Sequence, residues 1–318
     1  MKVRLWGVRG SLPTPMNRSE YHEKLIHAME YAQQVWQADA DCGVDEIINQ
    51  MHPNHKSVIG GETTCLEINH DDTVLVFDLG TGARNLGASL MQRQFRGDLH
   101  VFLTHTHWDH IQGFPFFIPA YIPDNTIHFY SCLDNLKERF SRQQHPDHFP
   151  RRFDDMPAQT EFHYAQPGDC FTINGLKVCT CSLIHPGGSI AYRIEAGSKT
   201  VIFATDTEFY GPELSRQMSD YQDFFAGADL LLMDAQYSLQ EAEEKKGWGH
   251  TAMTLAVDCA IYWGIKRLIL THHEPAHQDK EIWRLFEEAV AYIEARRVSG
   301  MPFALDIFTA KEGDEYEI

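Results

Sequence analysis

Thr104-His105-Thr106-His107-Trp108-Asp109-His110 brings three imidazoles and a carboxylate together, directly after the apolar run Val101-Phe102-Leu103. An apolar run of this kind reads as a buried strand, so the histidines stand where a strand ends and a loop opens. Neutral imidazole nitrogens and carboxylate oxygens are the donors that zinc and other borderline divalent ions take. A loop that was merely rich in histidine would not need the H-x-H-x-D-H order. Four candidate donors in that order point to a metal centre.

The stretch resembles the signature of the metallo-β-lactamase fold superfamily. The resemblance implies that His105 and His107 hold one metal and that Asp109 and His110 hold a second. It also implies three later ligands in order: a lone His, an Asp that bridges the metals, and a final His. The chain offers His185 at the end of the strand-like run 176–184, Asp206 after 200–204, and His272 after 267–271. His273 is the alternative to His272, which is preferred because it follows the strand directly, the matching position in the family. Two divalent ions are therefore expected, with zinc the choice by donor type; manganese and iron share the same donors.

Further segments resemble the phosphodiesterase and ribonuclease Z-like branch of that superfamily. Asp78 in Phe77-Asp78-Leu79-Gly80-Thr81-Gly82 matches an Asp-x-Gly-x-Gly turn. It is expected either to accept a hydrogen bond from a ligand imidazole or only to cap the turn. Gly10-Ser11-Leu12-Pro13 and Gly60-Gly61-Glu62-Thr63-Thr64-Cys65 also match the branch, with Glu62 where it often has Asn. Gly249-His250-Thr251-Ala252 resembles the branch's His-Ser/Thr segment, which implies that His250 faces the metals and serves the phosphate or its leaving group. An imidazole can donate a proton to a leaving alkoxide near neutral pH. Thr251 is a candidate phosphate contact or a helix cap. Asp109, Asp206 and His250 are the residues expected to take part in catalysis.

At 318 residues with 43% hydrophobic content the chain has the make-up of a globular protein. Donors spread from His105 to His272 imply one hydrolase domain over 1–318, with additions at about 15–56 and 112–163. No apolar run reaches the ~18 residues of a membrane span, and the start reads as a strand rather than a secretory leader. Seven cysteines without a C-x-x-C pattern read as free thiols, which fits a cytoplasmic setting. A net charge of −18 without a basic stripe argues against nucleic acid as partner. The tail 312–317 reads as a frayed acidic end. A homo-oligomer is compatible with the sequence.

Strand-like runs fall at 3–7, 64–68, 73–77, 99–103 and 126–130, then at 171–173, 176–184, 190–194, 200–204, 229–233, 267–270 and 303–307. Asn174-Gly175 marks a hairpin. Helical periodicity falls at 20–38, 83–92, 133–143, 252–263 and 280–297. Periodicity supports a mixed α/β class; the resemblance implies its four-layer αββα form. The aromatics of 112–163 would wall the substrate pocket or simply pack.

The function this implies is a dinuclear hydrolase in which metal-activated hydroxide attacks a small phosphodiester such as a 3′,5′-cyclic nucleotide. A ribonuclease Z-like nuclease shares the motifs but not the charge, and the chain lacks a Gly/Pro-rich arm for gripping transfer RNA. An acyl or thioester hydrolase would leave Gly249-His250-Thr251 without a role. A metal or ligand sensor would need only four ligands, and seven are offered.

Overall fold

The computed structural model describes residues 1–298 and 303–318. Strands β1 (Lys2–Gly7), β2 (Cys65–His70), β3 (Thr73–Phe77), β4 (Gly97–Phe102), β5 (Asn125–Ser131) and β6 (Gln159–Tyr164) belong to one sheet. Strands β7 (Cys170–Ile173), β8 (Leu176–Leu183), β9 (Ser189–Ala196), β10 (Lys199–Ala204), β11 (Leu230–Asp234), β12 (Arg267–Thr271) and β13 (Asp306–Thr309) form the other. A last strand, β14 (Glu315–Glu317), returns to the first sheet, whose order is β14-β1-β2-β3-β4-β5-β6; the second runs β13-β12-β11-β10-β9-β8-β7.

Both sheets are mixed. Neighbours from β3 to β6 and from β10 to β13 pair in parallel; the other pairs are antiparallel. Leu230-Leu231-Leu232-Met233 in β11 is wholly buried, as a strand covered on both faces must be. Phe77, Phe102, Tyr192 and Phe203 meet between the sheets, with ring centroids 5.0 to 5.8 Å apart. The helix Ala83–Gln92 packs Leu86 and Leu90 on the outside of the first sheet. Met253–Tyr262 and Asp279–Val298 cover the second. The result is the expected αββα sandwich, with the carboxyl ends of the parallel strands opening toward one site, where such sheets hold their ligands.

Residues 18–56 contribute the helices Arg18–Ala38, Val44–Gln50 and Pro53–Lys56, with a small core of their own around Ala32, Cys42, Ile47 and Met51. In 112–163, Phe114, Phe117, Phe140 and Phe153 are packing residues under the first sheet, whereas Phe116 is exposed.

Two expectations are corrected. Cys170 and Cys179 are bonded to each other rather than free. The reason lies in the hairpin: Asn174 (φ 47°) and Gly175 (φ 85°) form a two-residue turn that sets Cys170 opposite Cys179. The acidic tail does not fray. Glu315–Glu317 pairs with β1, and Glu312 accepts a hydrogen bond from the Glu62 amide at 2.5 Å.

Candidate active site

Most of the candidate side chains stand just past a strand, where the apolar run that anchors the backbone gives out, while His107 caps the short helix Trp108–Ile111 that carries Asp109 and His110. Asp78 follows β3, His105 lies beyond β4, His185 beyond β8, Asp206 beyond β10 and His272 directly after β12. Asp78 (φ 58°), Asp206 (φ 56°), His272 (φ 64°) and Ser11 (φ 58°) all adopt the left-handed conformation. Non-glycine residues hold it only where the surroundings enforce it, and such residues gather at functional sites. The turn swings each side chain inward across the ends of both sheets.

Among the described residues, two four-residue donor groups result. In the first, His107 Nδ1 lies 3.1 Å from His185 Nε2, and Asp206 Oδ2 is 3.5 Å from His105 Nε2 and 3.7 Å from His185 Nε2. In the second, His110 Nε2 and His272 Nε2 are 3.3 Å apart. Asp109 Oδ2 lies 3.1 and 3.2 Å from them, and Asp206 Oδ1 lies 3.0 and 3.1 Å away. Asp206 thus offers one oxygen to each group. His272 is the member and His273 is not: His273 turns its Nε2 to the carbonyl of Ala310.

The far ring nitrogens are held from behind. His110 Nδ1 meets Asp78 Oδ2 at 2.8 Å, His105 Nδ1 meets Thr104 Oγ1 at 3.0 Å, His185 Nδ1 meets the Gly249 carbonyl at 3.0 Å, and His272 Nδ1 meets Gln236 Oε1 at 3.2 Å. Such contacts fix which nitrogen of each ring faces the centre. Asp78 also accepts the Thr104 amide and hydroxyl, both at 2.8 Å, so it joins the turn to the ligand rather than capping the turn alone. The Ser11 amide donates to Asp109 Oδ2 at 2.7 Å, which gives the Gly10-Ser11 segment a place in the site. Two glycines lie directly against ligand rings: a Cβ on Gly10 would lie 2.4 Å from His272 Nδ1, and one on Gly249 would lie 2.2 Å from His185 Nδ1.

Electrostatics divide the groups. Burial pushes His105, His107 and His185 down, and neighbouring imidazoles act in the same sense, leaving neutral donors. In the second group burial opposes charge but loses: Asp206 and Asp109 raise His110 well above its ordinary value and His272 to about 9. Against the same burial, His110 and His272 hold the Asp109 and Asp206 carboxyls well below the usual range. The donor set fits divalent metal ions. His105 Nε2 and Asp206 Oδ1 are buried without hydrogen bonds, a costly state unless another partner satisfies them. Both groups bring four donor atoms within 4.8 Å of one another.

At the rim, the His250 ring stands between His185 and His272, with centroids 5.3 and 5.0 Å away. Its Nδ1 meets Asp234 Oδ2 at 2.6 Å. Asp234 is fully buried and also accepts the amides of Thr207, Gln236 and Thr251. The sequence reading passed over Asp234, although it ends an apolar run as Asp206 follows one. Thr251 requires a correction. Its buried hydroxyl donates to the Thr207 carbonyl and accepts the Phe209 amide, so it braces this loop and has nothing left for phosphate; Ala252 takes the helix cap. The Glu62 side chain accepts from Arg84 at 3.0 Å. Beside the motif, Thr106, Trp108, Ile111, Arg139, Arg142 and Gln143 line a groove of about 620 Å³.

The model of the beta-lactamase superfamily domain matches residues 73–273. Ribonuclease Z of Acaryochloris marina (strain MBIC 11017) is 26% identical over 253 residues, 64% of this chain and 77% of that protein. Among solved structures, Zn(2+)-bound PqqB from Methylobacterium extorquens aligns with a TM-score of 0.65 at 16% identity, covering 100% of both chains. Unliganded yeast PDE1 aligns with a TM-score of 0.64 at 13% identity, over 99% of this chain and 98% of that one. The likeness to both structures is one of fold.

Proposed function

The chain belongs to the beta-lactamase superfamily, and on that premise we propose that it is a dinuclear metal-dependent phosphodiesterase whose substrate is a small diester such as a 3′,5′-cyclic nucleotide. The observation that carries this reading is a pair of donor groups sharing Asp206, with one further imidazole, His250, held by Asp234 at their edge. His105, His107 and His185 would hold one ion, and Asp109, His110 and His272 the other, with Asp206 between them. Zinc suits these donors. Two such ions supply positive charge for phosphoryl oxygens and lower the pKa of a water nucleophile.

The protein's own part is positioning and proton transfer. Asp78, Thr104, the Gly249 carbonyl and Gln236 lock the ligand rings, and Ser11 locks Asp109. Asp234 accepts a hydrogen bond from His250 Nδ1–H, which turns Nε2 toward the leaving oxygen; a proton taken up from solvent at Nε2 passes to that oxygen as its bond to phosphorus breaks. An acyl hydrolase would have no use for this pair beside the donors. The whole chain, 1–318, is read as one domain.

Charge and shape favour a small substrate over a polymer. The chain carries −18, and a polyanion is gripped through many phosphates by Lys and Arg. The groove beside the motif has the size of a small-ligand pocket, and Trp108, 82% exposed between His107 and Asp109, offers a stacking face. The second reading, a nuclease acting on precursor transfer RNA, draws on the ribonuclease Z relatives and on Arg139 and Arg142 in that groove. Zinc-loaded protein offered both substrates should turn over cyclic nucleotides or simple diesters and leave precursor transfer RNA largely intact. Efficient, salt-sensitive cleavage of the transfer RNA without cyclic-nucleotide turnover would establish the nuclease instead.

A further inference from the structure

We propose that His128, Glu161 and His163 form a separate zinc site on the first sheet, remote from the active site. The parallel register sets His128 of β5 directly beside Glu161 of β6, and His163 lies two residues further along β6. Side chains two apart on a strand share a face, so all three stand together. His128 Nδ1 is 3.2 Å from His163 Nε2 and 3.2 Å from Glu161 Oε2, and His163 Nε2 is 3.8 Å from Glu161 Oε2. Two ligand atoms on one tetrahedral zinc, each ~2.0–2.1 Å from the metal, lie about 3.3 Å apart. The three separations bracket that edge, so one ion at their centre would meet all three with small adjustments.

A second feature points the same way. The other nitrogen of His128, Nε2, lies 3.4 Å from Asp98 Oδ1 on β4. A carboxylate there holds the Nε2 proton and leaves the Nδ1 lone pair aimed at Glu161 and His163, the usual arrangement behind a metal-binding imidazole. In that tautomer Nδ1 and the Glu161 carboxylate both present lone pairs across 3.2 Å, which a cation between them would reconcile. The rings are held in place by stacking: His163 on Tyr130 with centroids 4.6 Å apart, and His128 on His100 at 5.0 Å. The side chains of His163 and Glu161 are 37% and 55% exposed, so water can complete the coordination. His128 pairs in register with His100 of β4, whereas His105 lies beyond the end of that strand.

β6 is an edge strand, so an ion shared by β5 and β6 would pin that edge. The test is titration of zinc chloride into protein already holding its tightly bound metal, with binding followed by calorimetry and the melting temperature followed in parallel. The native chain should take up one further zinc per chain at micromolar concentrations and melt at higher temperature with it. His163→Ala and the exposed-site variant Glu161→Gln should lose or weaken that uptake at least tenfold and lose the thermal shift, with diester hydrolysis unchanged. Equal uptake and an equal shift in both variants, or no uptake by the native chain, would overturn the site.

Discussion

His250 and Asp234 illustrate how a single residue's role is set by what stands behind it. A buried carboxylate that accepts three amides can spare one oxygen for an imidazole only in a fixed direction, and that direction aims the free nitrogen at the rim of the donor groups. His250→Ala should therefore keep its metal and lose roughly 10²–10⁴ in kcat, the range for general acid–base groups. The loss should shrink for a nitrophenyl diester, whose leaving group needs no proton. Metal loss without this leaving-group dependence would instead make His250 a ligand or a structural residue. Asp234→Asn should reproduce the pattern in weaker form, because an amide can meet Nδ1 with either its oxygen or its NH2 and so no longer fixes which ring nitrogen carries the proton. His185, Asp206 and His272 could be picked out because each follows an apolar run, and His105, His107, Asp109 and His110 through the H-x-H-x-D-H order, while their division into two groups was implied by the family resemblance. Asp234 was missed because it closes β11 as part of the strand itself, and the true task of Thr251 is invisible without its backbone partners.

At the scale of the element, the site depends on how strand ends meet. Gly10 follows β1 and lies against the His272 ring. Gly10→Ala should displace that ring and cut diesterase activity at least tenfold, with far-ultraviolet circular dichroism unchanged; full activity would show that the ring has room to move. The returning strand β14 makes a different prediction. Burial, aided by the Glu62 carboxylate, pushes Glu312 up to about 7. An unfolded Glu titrates near ~4.3, so the folded chain binds this proton more tightly. The resulting stabilisation is complete at low pH and is lost as pH rises through about 7. The stability of the native chain relative to Glu312→Gln should accordingly fall between pH 5 and pH 8, by on the order of 1–2 kcal/mol once solvent screening at a partly exposed site is allowed for. Denaturant midpoints at the two pH values check this, and a constant difference would contradict it. Apolar strands could be read from composition alone. β6 (Gln-Thr-Glu-Phe-His-Tyr) and β14 (Glu-Tyr-Glu) could not, because edge strands face solvent and carry polar residues that mimic loops. Missing β6 also hid the His128–Glu161–His163 cluster, which exists only through its register.

For the molecule as a whole, one architecture explains why donors from residue 105 to residue 272 converge: parallel strands from two sheets present their carboxyl ends to a common opening. The same scale governs substrate choice. With a net charge of −18, a small diester should be hydrolysed with a kcat/KM that changes less than about threefold between 50 and 200 mM salt. A polymer held through 6–10 phosphates would lose about 10³–10⁵ in affinity over that interval. The four-layer arrangement itself came from family resemblance rather than periodicity, which distinguishes strand from helix but not how sheets stack. The most direct test of the dinuclear account is the metal content and diester turnover of Asp206→Ala, measured in a His163→Ala background so that the peripheral site does not contribute. The account predicts about two ions per chain in the background protein, loss of ions from both positions in the Asp206→Ala protein, and turnover reduced at least 10³-fold, since one carboxylate serves both groups. Two retained ions with undiminished turnover would contradict it.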